Sequence, residues 1–397
     1  MTLAGRHVVL GVSGGIASYK ACLLARRLTE AGASVEVVMT AAAAEFVRPV
    51  TFEALTGRPV VTSLWERGRA LAHIGLARDP DLVIVAPATA NLLARAAQGL
   101  ADDLLTALLL ARTGPVLVAP AMNDRMFSHP ATEANLTTLR RRGWRVVGPD
   151  TGALAEGPSE KPGRMSEPET IFVEAERLLR GGGSAFAGRR VVVTAGPTRE
   201  PLDPVRVLTN RSSGRMGFAL AEAAYARGAD VLLVSGPTAL AAPIGPTVER
   251  IETTEDLLHV VAREAPKTDC LIMAAAPADF RPARAAKQKR SRTGGATTLA
   301  LSPTPDILGS TRAKRKRGGI VIGFAYETGN AVQRARAKLK DKGLDLIIFN
   351  RADDPEAGAE VETNRVTIIS ADDAAELPLL PKREVAERIL DAAEGLL

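Results

Sequence analysis

The sequence predicts an α/β protein of two domains, each built on a mainly parallel sheet. The chain has 397 residues, more than one typical hydrophobic core contains. Short apolar runs, such as 82–85 and 191–193, repeatedly precede glycine- and proline-rich loops and then helical patterns. Gly181 to Ser184 is a short flexible segment between two such series. We therefore predict two Rossmann-like domains, residues 1–180 and 189–397, joined by a linker at 181–188.

The composition excludes several classes of protein. No apolar run reaches the length of a membrane span, and the N-terminus lacks the apolar region of a signal peptide. We therefore expect a cytoplasmic protein without a membrane partner. Cys22 and Cys270 lie far apart, and the four histidines have no metal-ligand spacing. This pattern predicts neither a disulfide framework nor a metal held by protein side chains.

The positive charge is concentrated in one segment. The net charge is +6, but residues 281–317 contain eleven Lys or Arg and only Asp306 as an acid, so this segment carries +10 and the remainder −4. A basic segment of this kind is an alternative indication of a nucleic-acid-binding protein, which would bind duplexes with a steep salt dependence. The segment contains no interleaved aromatic residues. We therefore favour a polyanionic small ligand and expect no nucleic acid.

The N-terminal domain begins with a predicted βαβ unit. It comprises a strand at 8–10, a glycine-rich turn at 11–17, a helix at 18–31 and a strand at 34–39. The turn does not have the GxGxxG pattern, and no acidic residue is well placed to bind a ribose hydroxyl, so a dinucleotide site is weakly supported. A mononucleotide phosphate at the helix N-terminus remains open. Thr40 starts the next loop and helix.

Further strands in this domain deliver polar loops to one sheet edge. Strands at 82–85 and 116–118 lead into polar loops, and the helical stretch 92–112 has a predicted break at Gly99. After a strand at 145–147, the proline- and glycine-rich stretch 148–165 is predicted to be an irregular lid, followed by a closing helix at 167–180. His73 lies in a short apolar segment, where a structural histidine is commoner than a catalytic one.

The second domain repeats the plan. Its first strand, 191–193, leads into the stretch 194–217, which contains three Pro, four Arg and Asn210. We interpret this stretch as one long loop that binds a phosphate-bearing ligand before a helix at 218–227. The later predicted elements are strands at 231–234, 269–273, 319–324, 344–349 and 366–369, and helices at 255–264, 331–342 and 382–393.

These residues carry a resemblance over nearly the whole chain. In order and spacing they resemble the family of bifunctional coenzyme A biosynthesis proteins, in which a phosphopantothenoylcysteine decarboxylase is fused to a phosphopantothenate–cysteine ligase. The matching segments are 14–17, 73–74, 120–126, 194–198, 203–206, 210, 212–214, 274–279, 305–307 and 323–325. The resemblance implies a flavoprotein decarboxylase domain followed by a CTP-dependent ligase domain.

For the first domain, the resemblance implies FMN as cofactor. Oxidation of the substrate thiol by FMN lets the carboxylate of 4'-phosphopantothenoylcysteine leave as carbon dioxide, and the electrons are then returned. His73 would act on the thiol or on the leaving carboxylate, and Asn123 would orient the substrate. The residues that would bind the cofactor are Ser13, Gly14, Gly15, Ile16, Thr40, Ala86 and Thr89.

One position departs from this family. The family commonly has a cysteine in a Leu-Ala-Cys-Gly stretch before Gly-Arg-Met, and its thiol protonates the enethiolate. Here Leu154 to Gly157 reads Leu-Ala-Glu-Gly. We hypothesise that Glu156 or Glu160 donates the proton, since a lid that screens a carboxyl group from water raises its pKa. Solvent as the donor is the equal alternative.

For the second domain, the resemblance implies activation of 4'-phosphopantothenate by CTP as an acyl-cytidylate, which the amine of cysteine then attacks. Asn210 would hold the acyl-cytidylate, Arg206 would support it, and Lys289 matches an essential lysine on a mobile flap. Mg²⁺ is expected with the triphosphate. The nucleotide-binding positions would be Ala274, Ala275, Ala276, Asp279, Lys289, Pro305, Asp306, Ile307, Leu308, Phe324, Lys338 and Lys342.

Other consequences of the resemblance concern assembly and detail. Family members form trimers through the flavin half and dimers through the ligase half, which implies a homo-oligomer, a dodecamer if both contacts form. Thr304 and Tyr326 stand where the family usually has Asn and Ala.

The remaining alternative is a different flavoprotein decarboxylase with a nonenzymatic C-terminal adaptor. A yellow protein without CTP-dependent pyrophosphate release would favour it.

Overall fold

The computed structural model describes residues 2–65, 71–289, 298–327, 332–351, 354 and 356–397. The chain divides into two compact units, residues 1–180 and 181–397.

The first unit is built on a five-stranded sheet whose strands are all parallel, in the order β2-β1-β3-β4-β5. Its elements are β1 (His7–Val12), α1 (Ser18–Glu30), β2 (Ser34–Met39), α2 (Ala41–Ala44), α3 (Pro49–Thr56), α4 (Ala72–Arg78), β3 (Leu82–Ala88), α5 (Ala90–Gln98), α6 (Leu104–Ala111), β4 (Val116–Pro120), α7 (Asp124–Phe127), α8 (Pro130–Arg141), β5 (Arg145–Val146) and α9 (Pro168–Gly181).

The second unit is built on an eight-stranded sheet, in the order β10-β9-β6-β11-β14-β15-β17-β18. The first six strands are parallel and the last two are antiparallel, which confirms the predicted mainly parallel α/β class. Its elements are β6 (Arg190–Ala195), β7 (Arg199–Pro201), β8 (Val207–Thr209), α10 (Arg215–Ala226), β9 (Asp230–Ser235), β10 (Thr247–Arg250), α11 (Thr254–Glu264), β11 (Cys270–Met273), β12 (Phe280–Pro282), β13 (Leu301–Pro303), α12 (Ile307–Thr311), β14 (Ile320–Glu327), α13 (Val332–Lys342), β15 (Leu346–Arg351), β16 (Thr363–Asn364), β17 (Val366–Ile369), β18 (Ala374–Glu376), β19 (Leu380–Pro381) and α14 (Lys382–Glu394).

Each sheet is covered by helices on both faces, because successive strand residues point to opposite sides. In β1, Val8 belongs to the core on the side of Leu24 of α1, whereas Val9 belongs to the core on the side of Leu105 of α6. In β6, Val191 and Val192 divide in the same way between two cores. The unbroken apolar runs 8–10 and 191–193 therefore reflect burial on two faces.

The break within 92–112 lies where it was predicted. Helix α5 ends at Gln98 and is followed by Gly99, whose φ of 75° is in the left-handed region that favours glycine. Helix α6 restarts after Asp103, whose carboxylate accepts a hydrogen bond from the N–H of Thr106 at 2.8 Å. The single helical pattern is thus two helices separated by a capped turn.

The interpretation of 194–217 as one long loop was wrong. It contains a hairpin in which β7 pairs antiparallel with β8. The Asp203 carboxylate closes the turn by accepting hydrogen bonds from the N–H groups of Val205 and Arg206, each at 2.9 Å. Strands of three residues, one of them ending in Pro201, are too short for an alternating apolar pattern to reveal them.

The buried carboxylate of Glu264, at the end of α11, forms ion pairs with three cationic side chains. It accepts hydrogen bonds from Arg190 at 2.9 Å and Arg263 at 3.0 Å, and pairs with Lys267 at 3.2 Å. Burial alone would raise its pKa, but these bonds outweigh burial and lower the pKa to about 2. Because this lies below the ordinary value of 4.5, the carboxylate stabilises the fold above pH 4.5, and that contribution is lost as the pH falls toward 2.

We therefore expect Glu264→Gln to lower the free energy of unfolding by about 3 kcal/mol at pH 7. The difference from wild type should shrink as the pH falls below 4.5. Urea unfolding followed by circular dichroism at pH 7 and at pH 3 measures both values. Glu255→Gln, on an exposed face of the same helix, is the matched control and should cost less than about 1 kcal/mol. Equal losses in the two variants would contradict the assignment.

Candidate active sites

The first unit contains a cavity of about 690 Å³ at the carboxyl ends of β1, β3 and β4. In the order β2-β1-β3-β4-β5, the direction in which strands are added reverses between β1 and β3, where ligands bind in open parallel sheets. The cavity brings together most of the residues predicted for this domain. Those lining it are Ser13, Gly14, Gly15, Ile16, Thr40, Thr89, Asn123 and Glu156.

The loops that follow β1, β2 and β3 are held close together at the rim. The Ser13 hydroxyl donates to the carbonyl of Pro87 at 2.8 Å and accepts from the N–H of Thr89 at 3.1 Å. A Cβ on Gly14 would lie 2.5 Å from the Cβ of Ala42, so only glycine permits this approach. The glycine-rich turn therefore places its backbone against its neighbours at the rim.

The rim has the features of an anion site. Helices α1 and α5 both begin there, and in the described part of the chain the N–H groups of Gly14, Gly15 and Ile16 donate no backbone hydrogen bond. Such N–H groups at helix N-termini favour negatively charged ligands. Met122, Met165 and other apolar side chains line the remaining wall. The cavity therefore suits an amphipathic ligand with one anionic end.

Asn123 and Glu156 are in direct contact on the cavity wall. The Asn123 side chain caps α7 by accepting from the N–H of Arg125 at 2.8 Å, and its Nδ2 donates to Oε2 of Glu156 at 3.0 Å. Glu156 belongs to the stretch 153–156, which lines the cavity as part of the predicted lid. Glu156 and Glu160 are both exposed, so the expected screening of the donor from water is not seen, and of the two only Glu156 lines the cavity.

Two predicted residues do not line the cavity. Ala86 is fully buried within β3. His73 lies in α4, and its Nδ1 is buried without a hydrogen-bond partner among the residues that the structure describes. Within one copy of the chain, His73 is therefore not placed beside Asn123.

Lys20 also lines the cavity and was not among the residues predicted for it. Its side chain is only 6% exposed, and its Nζ donates to the carbonyl of Met165 and to Oε1 of Glu167, both at 3.0 Å. Lys20 thus fixes the end of the predicted lid. A signal was present, because this lysine lies on the buried face of α1 beside Ala21 and Leu24.

In the second unit, the strand order reverses between β6 and β11, and several predicted residues lie on the loops after these strands. The Asn210 Nδ2 donates to the carbonyl of Pro277 at 2.9 Å, and the N–H of Ala276 donates to the carbonyl of Gly196 at 2.9 Å. Helix α10 begins at Arg215, after Gly214, which has no side chain to cap it; the N–H of Arg215 donates to the Ser213 hydroxyl at 3.5 Å. The N-terminus of α10 and Asn210 therefore belong to the same edge of this sheet.

Arg206 is oriented by a buried carboxylate. Its guanidinium donates to Oδ2 of Asp203 through Nε at 2.9 Å and through Nη2 at 2.5 Å. The Asp203 side chain is fully buried, whereas that of Arg206 is 45% exposed. The structure therefore holds a cation in a fixed orientation with part of its surface accessible.

The predicted nucleotide-binding turn at 305–308 is tied to the loop after β11. Thr304 donates to the carbonyl of Asp279 through its N–H at 3.0 Å, and to that of Ala278 through its hydroxyl at 2.6 Å. Asp306 caps α12 and accepts from Nζ of Lys342 at 2.5 Å. Burial would raise the Asp306 pKa, but these hydrogen bonds outweigh burial and lower it.

The other nucleotide-binding candidates are placed as follows. Lys338 is half-buried, one turn before Lys342 on α13, and Phe324 is half-buried on β14. Lys289 is exposed, and the residues after it, 290–297, lie outside the described part of the chain.

The basic run at 314–317 has structural partners. Arg315 donates to the carbonyls of Leu308 at 2.6 Å and Gly343 at 3.0 Å, and burial lowers its pKa. Lys316 pairs with Asp269 at 2.6 Å. These contacts favour a structural role over a nucleic-acid surface.

Across the described ranges, no group of three acidic, histidine or cysteine side chains could hold a metal ion, and no helix is long and apolar enough to span a membrane.

Comparison with known families divides the chain as the two units do. The family described as Flavoprotein matches residues 1–179, and the DNA/pantothenate metabolism flavoprotein C-terminal domain matches residues 186–396. Two relatives are both called coenzyme A biosynthesis bifunctional protein CoaBC. The one from Vibrio cholerae serotype O1 is 45% identical to this chain over 98% of both chains. The one from Bacillus subtilis is 44% identical over 99% of this chain and 98% of that chain. A crystal structure of the C-terminal domain of a CoaBC protein is 39% identical, with a TM-score of 0.46, over 54% of this chain and 98% of that chain.

Proposed function

This chain belongs to the family of bifunctional coenzyme A biosynthesis proteins, and we propose how its two units carry out the two reactions of that family. The protein is an enzyme with phosphopantothenoylcysteine decarboxylase and phosphopantothenate–cysteine ligase activities. The observation that supports assigning the decarboxylase to the first unit is its 690 Å³ cavity, which lies within the part matched by the flavoprotein family.

The residues at this cavity fit FMN. The N–H groups of the glycine-rich turn and the starts of α1 and α5 would hold its phosphate, and the apolar wall would hold its ring. Bound flavin supplies a two-electron oxidation and the reverse reduction. Asn123 would hold the carboxylate or amide of 4'-phosphopantothenoylcysteine and so orient the thiol and the leaving carboxylate. Glu156, which contacts Asn123, would hold the proton that is later given to carbon.

His73 would act from a neighbouring copy. In its own copy it does not line the cavity, whereas Ile16 and Tyr19 at the rim and Leu71 and Ile74 beside His73 expose between 42% and 74% of their surfaces. Apolar surface of this kind is typical of a contact with another protein chain. A trimer of this unit would cover it, and together with dimers of the second unit would give the dodecamer implied by the resemblance.

The second unit would activate 4'-phosphopantothenate with CTP. The substrate carboxylate attacks the α-phosphorus and pyrophosphate leaves; the cysteine amine then attacks the acyl carbon and CMP leaves. Arg206, the N-terminus of α10 and Lys289 would stabilise the phosphate charge, and Asn210 would orient the acyl-cytidylate. Mg²⁺ would bind through the triphosphate, as it commonly does with nucleotides.

The unpaired thiols of Cys22 and Cys270 support a reducing, cytoplasmic compartment.

Turnover of the pure protein tests both assignments. Incubated with FMN, 4'-phosphopantothenate, cysteine and CTP, it should release pyrophosphate and form 4'-phosphopantothenoylcysteine and then 4'-phosphopantetheine, identified by mass. Replacing CTP with ATP is the control. Decarboxylation of added 4'-phosphopantothenoylcysteine without any CTP-dependent pyrophosphate release would exclude the ligase assignment and favour the adaptor alternative.

Glu156→Gln should slow formation of 4'-phosphopantetheine by about 10- to 100-fold, because glutamine can still accept from Asn123 but cannot donate an acidic proton. Rates are measured by mass, with flavin absorbance showing that the cofactor is bound. Glu160→Gln, in the same loop but outside the cavity, is the matched control and should be unaffected. Wild-type rates in both Glu156→Gln and Glu160→Gln would identify solvent as the donor.

A further inference from the structure

The loop from 153 to 165 is attached to the rest of the first unit in two ways. Near residue 163 the attachment includes backbone, since the N–H of Met122 donates to the carbonyl of Gly163 at 3.0 Å. A Cβ on Gly163 would lie 2.6 Å from the carbonyl oxygen of Met122, so this contact is tight. Nearer the middle of the loop, the contacts with α7 and its cap are between side chains. They join Glu156 to Asn123 and Ser159 to Asp124.

We propose that Ser159, through its hydrogen bond to Asp124, is a positioning residue that holds Glu156 against Asn123. The Ser159 hydroxyl donates to Oδ2 of Asp124 at 2.6 Å and accepts from the N–H of Lys161 at 3.1 Å. Asp124 directly follows Asn123, and Ser159 is three residues beyond Glu156. This short hydrogen bond therefore joins the two segments that carry the proposed substrate-binding and proton-donating side chains, close to both of them.

The chemistry of this pair suits the role. The Ser159 hydrogen bond is the main cause of the lowered pKa of Asp124, with smaller contributions from Lys161 and Arg125. Asp124 is therefore an ionised acceptor at neutral pH, and charge-assisted hydrogen bonds are stronger than neutral ones. Ser128 also donates to Asp124, but to its backbone carbonyl within α7, at 2.9 Å. Among the described residues, Ser159 is the one that donates a side-chain hydrogen bond from the loop to the Asp124 carboxylate.

The proposal rests on the proton-donor role of Glu156, and a double-mutant cycle tests the two separately. We expect Ser159→Ala to lower kcat for decarboxylation by about 5-fold, an effect of the size of one lost hydrogen bond, with KM changed less than about 2-fold. Ser159→Thr, which keeps the hydroxyl, should restore kcat, and Ser128→Ala is the matched control. In a Glu156→Gln background, Ser159→Ala should cause no further loss, because both changes remove the same function.

The possible failures are distinguishable. A wild-type kcat in Ser159→Ala, together with a slow Glu156→Gln, would overturn the positioning role and leave the donor assignment intact. Full, additive losses in the double mutant would show that Ser159 does not act through Glu156. A wild-type rate in Glu156→Gln with a slow Ser159→Ala would overturn both assignments.

Discussion

Replacing Asn123 with alanine should lower kcat for decarboxylation of 4'-phosphopantothenoylcysteine by at least about 100-fold, because misorientation of a substrate by about 1 Å costs that much. The variant loses the group proposed to hold the substrate, the cap of α7 and the hydrogen bond to Glu156 at once. The glycine-rich rim is untouched, so FMN should remain bound. The two measurements are single-turnover product formation and flavin absorbance after gel filtration.

Asn135→Ala, on the half-buried face of α8 and outside the cavity, is the control for this prediction and should retain the wild-type rate. Ligation should be unchanged in both variants, because the second unit carries that reaction. A colourless Asn123→Ala protein would mean that Asn123 binds the cofactor rather than the substrate, and a fully active one would refute its role.

The second large effect is expected for Asn210→Asp. An aspartate cannot donate to the carbonyl of Pro277, and it adds a negative charge where phosphates are proposed to bind. Loss of one preorganised donor to developing charge costs about 100- to 1,000-fold in kcat, and the added repulsion acts in the same direction. Pyrophosphate release from CTP, followed with a coupled phosphate assay, is the measurement.

Gln333→Glu adds the same charge to an exposed position of α13 and is the matched control, expected to release pyrophosphate at the wild-type rate. Both variants should still decarboxylate added 4'-phosphopantothenoylcysteine. Equal rates of pyrophosphate release in the two variants would remove Asn210 from the proposed site.

The inner strands of both sheets were predictable because they are apolar runs buried on two faces, whereas the largely exposed edge strands β10 and β18 were not predicted. Ser34–Met39 and Val366–Ile369 have the predicted bounds. The predicted residues at the ends of β1 and β3 meet for a related reason, since parallel strands deliver their loops to one edge. These parts of the fold follow from local pattern and the geometry of parallel sheets.

Other features depend on contacts between distant residues. Asn123 and Glu156 are 33 positions apart, and no periodicity predicts the hydrogen bond between them. The hairpin of β7 and β8 is set by the buried Asp203 carboxylate rather than by apolar alternation. Lys20 is buried because Met165 and Glu167 satisfy it from the far end of the unit, so helical patterning alone could not assign its partners.

The two sheets have different strand connections. In the first, the third strand crosses to the far side of β1, whereas in the second, the third strand β10 lies beyond β9 on the same side. The two sheets therefore do not share the single topology that a tandem duplication would have produced. An exchange of one half for another protein would have to keep Phe186 with the second unit, because its side chain is fully buried in that unit's core and the segment 181–188 is therefore not a free linker throughout.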